Sequence, residues 1–253
     1  MKNIIAIIPA RSGSKGIRNK NISDIFGFPM IAYSIYAAKL CDKISRVIVS
    51  TDSEEYASIA RSYGADVPFL RPAEISGSAS LDIEYLEYTL KELKDREGVM
   101  PDLVVLLRPT TPLRNVDLIR EAIDRFLSAP SDASSLVSVS AANDCAYKWA
   151  KIADDGYLQS PFSELEFDDV NNPRQSFPKL YIPDGYVDVL RSDVITGEHK
   201  VYGDRSIPFL IEEGAVDIDR PEDLAKVRDM DILEKNEIYK ELVKTGKKGE
   251  QNA

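Results

Sequence analysis

Histidine and cysteine are scarce in this sequence, which contains one histidine (His199) and two cysteines (Cys41 and Cys145) among 253 residues. A single histidine leaves little basis for a Ser-His-Asp hydrolase or for a metal site built from several histidines. The two cysteines are far apart and show neither CxxC nor zinc-ligand spacing, so we expect both to be reduced. Reduced cysteines favour a cytoplasmic location.

Long apolar runs and an excess of positive charge are also lacking. No apolar stretch approaches the roughly 20 residues needed to span a bilayer, and the first residues do not form a signal peptide. The chain has 32 Lys and Arg against 42 Asp and Glu, a formal net charge of −10. Because a nucleic-acid surface needs a broad basic face, we expect neither nucleic acid nor a membrane as a partner.

Short apolar runs alternate with helical patterns along most of the chain. Runs at residues 4–8, 46–50 and 103–107 are typical of strands buried on both faces. The alternation predicts an α/β fold with a three-layer, doubly wound and mostly parallel sheet. Residues 66–70 are a further candidate for a short edge strand. We expect one domain over residues 1–240, with an excursion at 141–182 and a flexible polar tail at 241–253.

The first loop carries an unusual concentration of positive charge for this acidic protein. It contains two glycines, Gly13 and Gly16, and no acid between residues 11 and 20, where the cations are Arg11, Lys15, Arg18 and Lys20. Glycines let backbone N–H groups converge on a phosphate, and the loop leaves the carboxyl end of a predicted strand, where α/β sheets bind ligands. The spacing is that of neither a P-loop nor a dinucleotide fingerprint. A solvated connection is the alternative.

Two acids near the other end of the chain, Asp217 and Asp219, are spaced so that a strand would present them on one face. Magnesium takes one or two carboxylates together with phosphate oxygens and water, so the pair is a candidate metal site. The alternative is that Asp219 interacts with the dipole of a helix that begins at Pro221.

The loop at residues 9–21, which has the pattern Pro-Ala-Arg-x-Gly-Ser-Lys-Gly-x-x-x-Lys-Asn, resembles the opening motif of the cytidylyltransferases that activate nonulosonic acids. This family includes CMP-sialic acid synthetases and their legionaminate, pseudaminate and octulosonate relatives, and the resemblance extends from Ile4 to about Leu233. It implies a nucleotidyltransferase fold of the Rossmann-like kind. The side chains that it assigns to nucleotide binding are Arg11, Ser14, Lys15, Lys20, Asn21, Arg71 and Ser80. Without the resemblance, Arg71 could equally be a surface guanidinium.

The resemblance also implies a sugar site and an arm for dimerisation. Residues 106–114 are similar to the family segment LLQPTSPLR, but Arg108 stands where sialic acid synthetases have glutamine, and Asp184 replaces an asparagine. The implied substrate-binding residues are Arg108, Thr110, Thr111, Lys148, Arg174, Gln175 and Asp184. Lys148 could instead be a half-exposed strand residue, and Arg174 a loop residue in an ion pair. The family arm corresponds to residues 141–182, so we expect a homodimer.

The function implied by the resemblance is transfer of CMP from CTP to the C2 hydroxyl of a sialic-acid-like sugar, with release of pyrophosphate. The expected catalytic residues are Arg11, Lys15, Lys20, Asp217 and Asp219, of which the two aspartates would bind Mg²⁺. Octulosonic (Kdo-type), legionaminic and pseudaminic acids are alternative acceptors, and the product would serve synthesis of a cell-surface polysaccharide. An inactive nucleotide-binding protein is an alternative of another class.

Overall fold

A six-stranded sheet lies at the centre of the protein in the computed structural model, which describes residues 2–212, 214–230 and 235–246. In chain order the strands are β1 (Ile4–Pro9), β2 (Asp24–Ile25), β3 (Phe28–Pro29), β4 (Arg46–Ser50), β5 (Leu103–Leu106), β6 (Ser135–Ala141), β7 (Lys151–Ile152), β8 (Leu158–Gln159), β9 (Tyr181–Arg191) and β10 (Ser206–Leu210). The helices are α1 (Met30–Leu40), α2 (Glu54–Ser62), α3 (Asp82–Glu97), α4 (Val116–Leu127), α5 (Ser192–Glu198), α6 (Pro221–Arg228) and α7 (Glu237–Lys244).

The strand order of this sheet is β10-β6-β9-β5-β1-β4. Strand β1 pairs in parallel with β4 and β5, and β10 pairs in parallel with β6. Strand β9 is antiparallel to both of its neighbours, because the chain returns along β6 after the excursion between them. The predicted α/β fold with a mostly parallel sheet is therefore confirmed.

Alternate side chains of the central strands enter two separate apolar layers. In β1, Ile4, Ala6 and Ile8 pack in one layer, while Ile5 and Ile7 pack in the other. The first layer includes residues of α1, α2 and α4, and the second includes residues of α3 and α5. Burial on both faces explains why these strands are continuous apolar runs and do not alternate with polar residues.

Two helix starts follow the sequence signals, whereas one expected strand is absent and two elements are additional. Ser53 and Asn115 cap α2 and α4 by accepting hydrogen bonds from backbone N–H groups of the first turn. Residues 66–70 do not form a strand, since the only ladder contact there is a bridge between Asp66 and Ile48; Pro68 has no N–H to donate. Strand β10 and helix α5 were not foreseen.

The expected tail begins inside a helix, because α7 extends to Lys244. Its amphipathic pattern buries Ile238 and Leu242 against the core, so residues 241–244 are part of the folded domain. Residues 247–253 lie outside the described part of the chain. Within that part, no helix is both long and apolar enough to cross a membrane.

The excursion at residues 141–182 holds the short hairpin β7–β8 and several 3₁₀ turns. Its own apolar contacts are few and centre on Tyr147, whose ring stacks on Phe177 at 5.4 Å and meets Phe162 at 4.8 Å. Large apolar side chains on the same segment face solvent, among them Ile152 at 76% and Tyr157 at 74% exposure. This segment therefore carries an apolar surface that the single chain leaves uncovered.

Candidate active site

A cleft of about 350 Å³ opens where β1 and β5 end at the carboxyl edge of the sheet. It collects side chains from loops far apart in sequence, as expected for parallel strands that end at one edge. The predicted site residues that line it are Arg11, Ser14, Lys20, Asn21, Arg71, Ser80, Arg108, Thr110, Asp217 and Asp219.

The loop after β1 is held in place by an acid that follows the neighbouring strand, β4. Asp52, just after β4, accepts hydrogen bonds from the Ser12 backbone N–H at 2.7 Å and from the Ser12 hydroxyl at 2.6 Å. The Asn21 amide donates to the Arg11 carbonyl at 3.0 Å. Gly13 has a φ of +69°, which favours glycine and lets the loop turn. The loop is therefore fixed at both of its ends.

The same loop contacts the segment that carries the two acids. The Lys20 ammonium lies 2.7 Å from an Asp219 carboxylate oxygen. A Cβ atom on Gly16 would lie 2.7 Å from the Asp219 backbone oxygen, so only glycine fits where these two backbone segments come together. The basic and acidic segments, about 200 residues apart in sequence, thus meet on one side of the cleft.

Asp217 and Asp219 share the cleft although they do not lie on a strand. Residues 215–219 have no regular secondary structure. The segment is held by Ile218, whose backbone N–H donates to the Thr110 carbonyl at 2.8 Å and whose side chain is buried in the core. Neighbouring groups displace water from the Asp217 carboxyl and raise its pKa, and the nearby charge of Asp219 adds to this effect. The strand that periodicity predicted for this segment is therefore absent, although both acids line the cleft.

These two carboxylates fit a site for Mg²⁺. The described residues contain no group of three or more His, Cys, Asp or Glu side chains that could hold a metal. Mg²⁺, however, commonly binds one or two carboxylates and takes its other ligands from phosphate oxygens and water. The donor set of Asp217 and Asp219 beside a basic loop agrees with that chemistry.

Arg71 lies at the inner wall of the cleft and is 5% exposed, so it is not a surface residue. Its guanidinium donates to the Ser50 carbonyl at 2.8 Å and lies 4.5 Å from the centre of the Tyr85 ring. Burial lowers its pKa, although the phenol of Tyr85 and nearby acids oppose the shift. Arg71 therefore joins the end of β4 to helix α3 at the edge of the cleft.

Arg108 also lines the cleft, but its charge is already paired. Its guanidinium donates to Asp188 at 2.8 Å and to Asp82 at 2.6 Å. Burial alone would lower the pKa of Arg108, yet Asp188 and Asp82 raise it above the usual value. The guanidinium is thus part of an internal ion-pair network.

The other predicted side chains do not line the cleft. Lys15 is exposed in the first loop, Thr111 is buried, and Asp184 accepts hydrogen bonds from the hydroxyls of Ser138 and Ser140 at 2.6 Å each. The remaining three are exposed on the excursion: Lys148, Arg174 and Gln175. Arg174 donates to the Ala142 carbonyl at 3.3 Å and has no ion pair within the described residues. Their assignment to the sugar stays a prediction.

Sequence reasoning missed three acids that shape the site: Asp52, Asp82 and Asp188. Asp52 follows a buried strand, which is the same signal that identified the first loop, so it could have been found. Asp82 is the first residue of α3, where an acid is usually explained by the helix dipole. Asp188 lies in an apolar run with 1% exposure, and only the fold brings it to Arg108.

Arg114 organises the loop after β5 from inside the protein. It is 2% exposed, and its guanidinium donates to the Ser34 hydroxyl at 2.9 Å and to backbone carbonyls that include those of Arg108 at 2.8 Å and Gly185 at 3.2 Å. Burial lowers its pKa to about 10. These bonds tie the loop to β9 and α1.

We expect Arg114→Ala to lower the free energy of unfolding by about 3–5 kcal/mol, because several buried carbonyls lose their donor. Urea denaturation followed by circular dichroism measures this. Arg205→Ala is the control, since Arg205 is 67% exposed and pairs with Asp132 at the surface; a change within about 1 kcal/mol is expected there. Equal effects of the two substitutions would contradict the role of Arg114.

The chain is similar to known proteins over most of its length. A profile of the cytidylyltransferase family matches residues 5–245. The chain is 35% identical over 217 residues to an N-acylneuraminate cytidylyltransferase of Escherichia coli O18:K1:H7, an alignment that covers 85% of this chain and 49% of that protein. It is 33% identical over 227 residues to the CMP-N,N'-diacetyllegionaminic acid synthase of Legionella pneumophila, an alignment that covers 88% of this chain and 93% of that protein. The chain thus spans about half the length of the Escherichia coli relative and nearly all of the Legionella one.

Solved structures show the same fold. A CMP:2-keto-3-deoxy-manno-octonic acid synthetase complexed with CTP superimposes with a TM-score of 0.65 at 16% identity, covering 89% of this chain and 97% of that one. A cytidylyltransferase of Leptospira borgpetersenii superimposes with a TM-score of 0.57 at 13% identity, covering 100% of this chain and 98% of that one. The predicted resemblance and fold class are confirmed. From the profile match over nearly the whole chain and the sequence relatives above 30% identity, we conclude that this chain is a member of the cytidylyltransferase family, a group of nucleotidyltransferase enzymes.

Proposed function

We propose that this enzyme transfers CMP from CTP to the C2 hydroxyl of a sialic-acid-like nonulosonic acid. The hydroxyl oxygen attacks the α-phosphorus, the bond to the β-phosphate breaks, the hydroxyl proton is released, and pyrophosphate leaves. The observation that carries the proposal is the contact between the basic first loop and the segment of Asp217 and Asp219. It supports the proposal because cations suited to a triphosphate and carboxylates suited to a metal line the same cleft.

The residues of the cleft suit a reaction that depends on positioning and charge neutralisation. Arg11 and Lys20 line the cleft and would contact the phosphates, and Lys15 on the same loop would add charge for the departing pyrophosphate. Asp217 and Asp219 would hold Mg²⁺, which when bound supplies positive charge at the phosphate oxygens. Arg71 and Ser80, which also line the cleft, would contact the cytosine.

The acceptor follows from the names of the relatives. Proteins that this chain matches at 33–37% identity act, by name, on N-acylneuraminate, diacetyllegionaminic acid and pseudaminic acid. The octonic acid synthetase is similar in fold at only 16% identity. A nonulosonic acid is thus the favoured acceptor class, with an octulosonic acid as the second candidate. A cytoplasmic location, where CTP is made, and a part in polysaccharide synthesis remain predictions.

The test is an assay of the purified chain with CTP, MgCl₂ and a panel of N-acetylneuraminic, legionaminic, pseudaminic and octulosonic acids. Pyrophosphate release and formation of the CMP-sugar are measured together. We expect release with at least one nonulosonic acid and much less with the octulosonic acid. Binding of CTP without release on any sugar would favour an inactive nucleotide-binding protein.

The excursion at residues 141–182 supports a homodimer. It exposes the large apolar side chains of Trp149, Ile152, Tyr157 and Ile182, and exposed apolar surface of this kind can mark an interaction site. We expect the protein to elute as a dimer in size-exclusion chromatography with light scattering, and Ile152→Asp to shift it to the monomer. Leu127→Asp is the control, because Leu127 is exposed at the end of α4, away from the excursion. A wild-type monomer would contradict the proposal.

A further inference from the structure

Beside the proposed phosphate site, four side chains form one network: Asp82, Arg108, Asp188 and Tyr202. Arg108 donates to Asp188 at 2.8 Å and to Asp82 at 2.6 Å, and the Tyr202 hydroxyl donates to Asp188 at 3.3 Å. The network joins the first residue of α3 to the end of β5 and the middle of β9. Both Asp82 and Arg108 line the cleft.

The charge of this network differs from that of the first loop. Asp82 by itself balances the charge of Arg108, and Asp188 makes the group negative when it is ionised. Arg11, by contrast, donates only to the backbone carbonyls of its own loop and has no carboxylate partner within the described residues. The network is therefore a poor receptor for the carboxylate of a sugar acid.

The network presents an acceptor to the cleft, because its most exposed member is an acid. The side chain of Asp82 is 42% exposed, that of Arg108 is 24% exposed, and that of Asp188 is 2% exposed. Arg108 is held by its ion pair with the buried Asp188 at 2.8 Å, and its backbone carbonyl accepts a hydrogen bond from Arg114. Asp82 is thus fixed by a rigid partner.

The sheet order places Asp188 on the side of β5 away from the first loop, while Asp82 lies two residues after Ser80 at the edge of the proposed base site. The basic loop follows β1, and Arg71 bonds to Ser50 at the end of β4. Strand β9, which carries Asp188, lies on the other side of β5. With the nucleotide on the β1 and β4 side, the β5 and β9 side is left for the acceptor.

We propose that Asp82 accepts a hydrogen bond from a hydroxyl or amide N–H group of the acceptor sugar, and that Arg108 is the positioning residue that holds Asp82. The inference rests on the proposed function and deepens it, since it specifies the chemistry of the sugar at this position. An aspartate rejects a carboxylate there and selects a donor. A sugar without that donor leaves a charged acceptor unpaired, which is costly.

The experiment compares the steady-state kinetics of wild type, Asp82→Asn, Arg108→Gln and Arg108→Lys with the best sugar of the panel. We expect Asp82→Asn and Arg108→Gln to raise the KM for the sugar by roughly 10- to 100-fold, as for loss of a charged hydrogen bond, with the KM for CTP within about threefold. Arg108→Lys should restore part of the loss, because lysine keeps one ion pair. Asp117→Asn is the matched control: Asp117 is also in the first turn of a helix and pairs with Arg120 at 2.6 Å, but is 80% exposed.

Sugar analogues lacking one hydroxyl or the N-acyl group complete the test. For the analogue that lacks the donor, wild type and Asp82→Asn should have the same KM. For the complete sugar, the KM of Asp82→Asn should be higher than that of wild type. A rise in the KM for CTP alone, or a sugar KM unchanged by Asp82→Asn, would overturn this inference and leave the proposed function intact. Absence of transfer by wild type to every sugar would overturn both. Thermal melting of each variant identifies any that does not fold, and Asp82→Asn, which keeps size and shape, then decides.

Discussion

Replacing Asp219 by alanine is expected to lower kcat by about 10³-fold at saturating CTP and Mg²⁺, equivalent to ~4 kcal/mol of transition-state stabilisation. The substitution removes one of the two carboxylates proposed to hold the metal and also frees Lys20, whose ammonium lies 2.7 Å from Asp219. Pyrophosphate release measures the rate. Isothermal titration with CTP, in the presence and absence of MgCl₂, measures whether nucleotide binding still depends on the metal.

Glu222→Gln is the control for Asp219→Ala. Glu222 is an exposed acid in the first turn of α6, three residues along the chain, and does not line the cleft. We expect its kcat to stay within about twofold of wild type, as is usual for a surface charge. If Asp219→Ala kept full activity, the metal assignment would be wrong, whatever the effect on stability.

A single methyl group on Gly16 is expected to lower kcat/KM by about 10²-fold, because misplacement by ~1 Å is enough for a loss of this size. The alanine Cβ would lie 2.7 Å from the backbone oxygen of Asp219, and a backbone atom cannot rotate aside as a side chain can. The first loop or the acidic segment must therefore shift, and both carry groups proposed to contact the phosphates or the metal. Kinetics with varied CTP measure the loss.

Gly197→Ala is the matched control for Gly16→Ala. Gly197 lies in α5, and no atom lies within 4 Å of the position that its Cβ would take. Alanine there should leave activity unchanged and stabilise the protein by about 0.5–1 kcal/mol, since glycine is the weaker helix former. Equal losses for both alanine variants would show that the contact between Gly16 and Asp219 has no special role.

The sequence predicted the α/β fold well because its central strands are buried on both faces. Ile4, Ile5, Ile7 and Ile8 have to be apolar whichever layer they enter, so the pattern is strong and local. Strand β10 was missed for the opposite reason. It lies at the edge of the sheet, where Ser206, Pro208 and Leu210 are exposed or partly so, and its composition resembles that of a loop.

The structure brings together predicted groups on the strand-end loops, whereas the sequence did not predict contacts between side chains that are distant along the chain. Arg11, Lys20 and the Asp217–Asp219 pair occur in short motifs, and the structure places them in one cleft. The pairing of Arg108 with Asp82 and Asp188 joins residues 26 and 80 positions away. No local pattern contains that information, so the sequence presented Arg108 as an unpaired cation.

The two hydrogen bonds from Ser12 to Asp52 have a consequence for how a nucleotide would be recognised. Because they tie the first loop to the residue that follows β4, part of the entropy of arranging the loop is lost when the chain folds. A triphosphate would then bind a loop that is already ordered, so little of the binding free energy would be spent on ordering the loop.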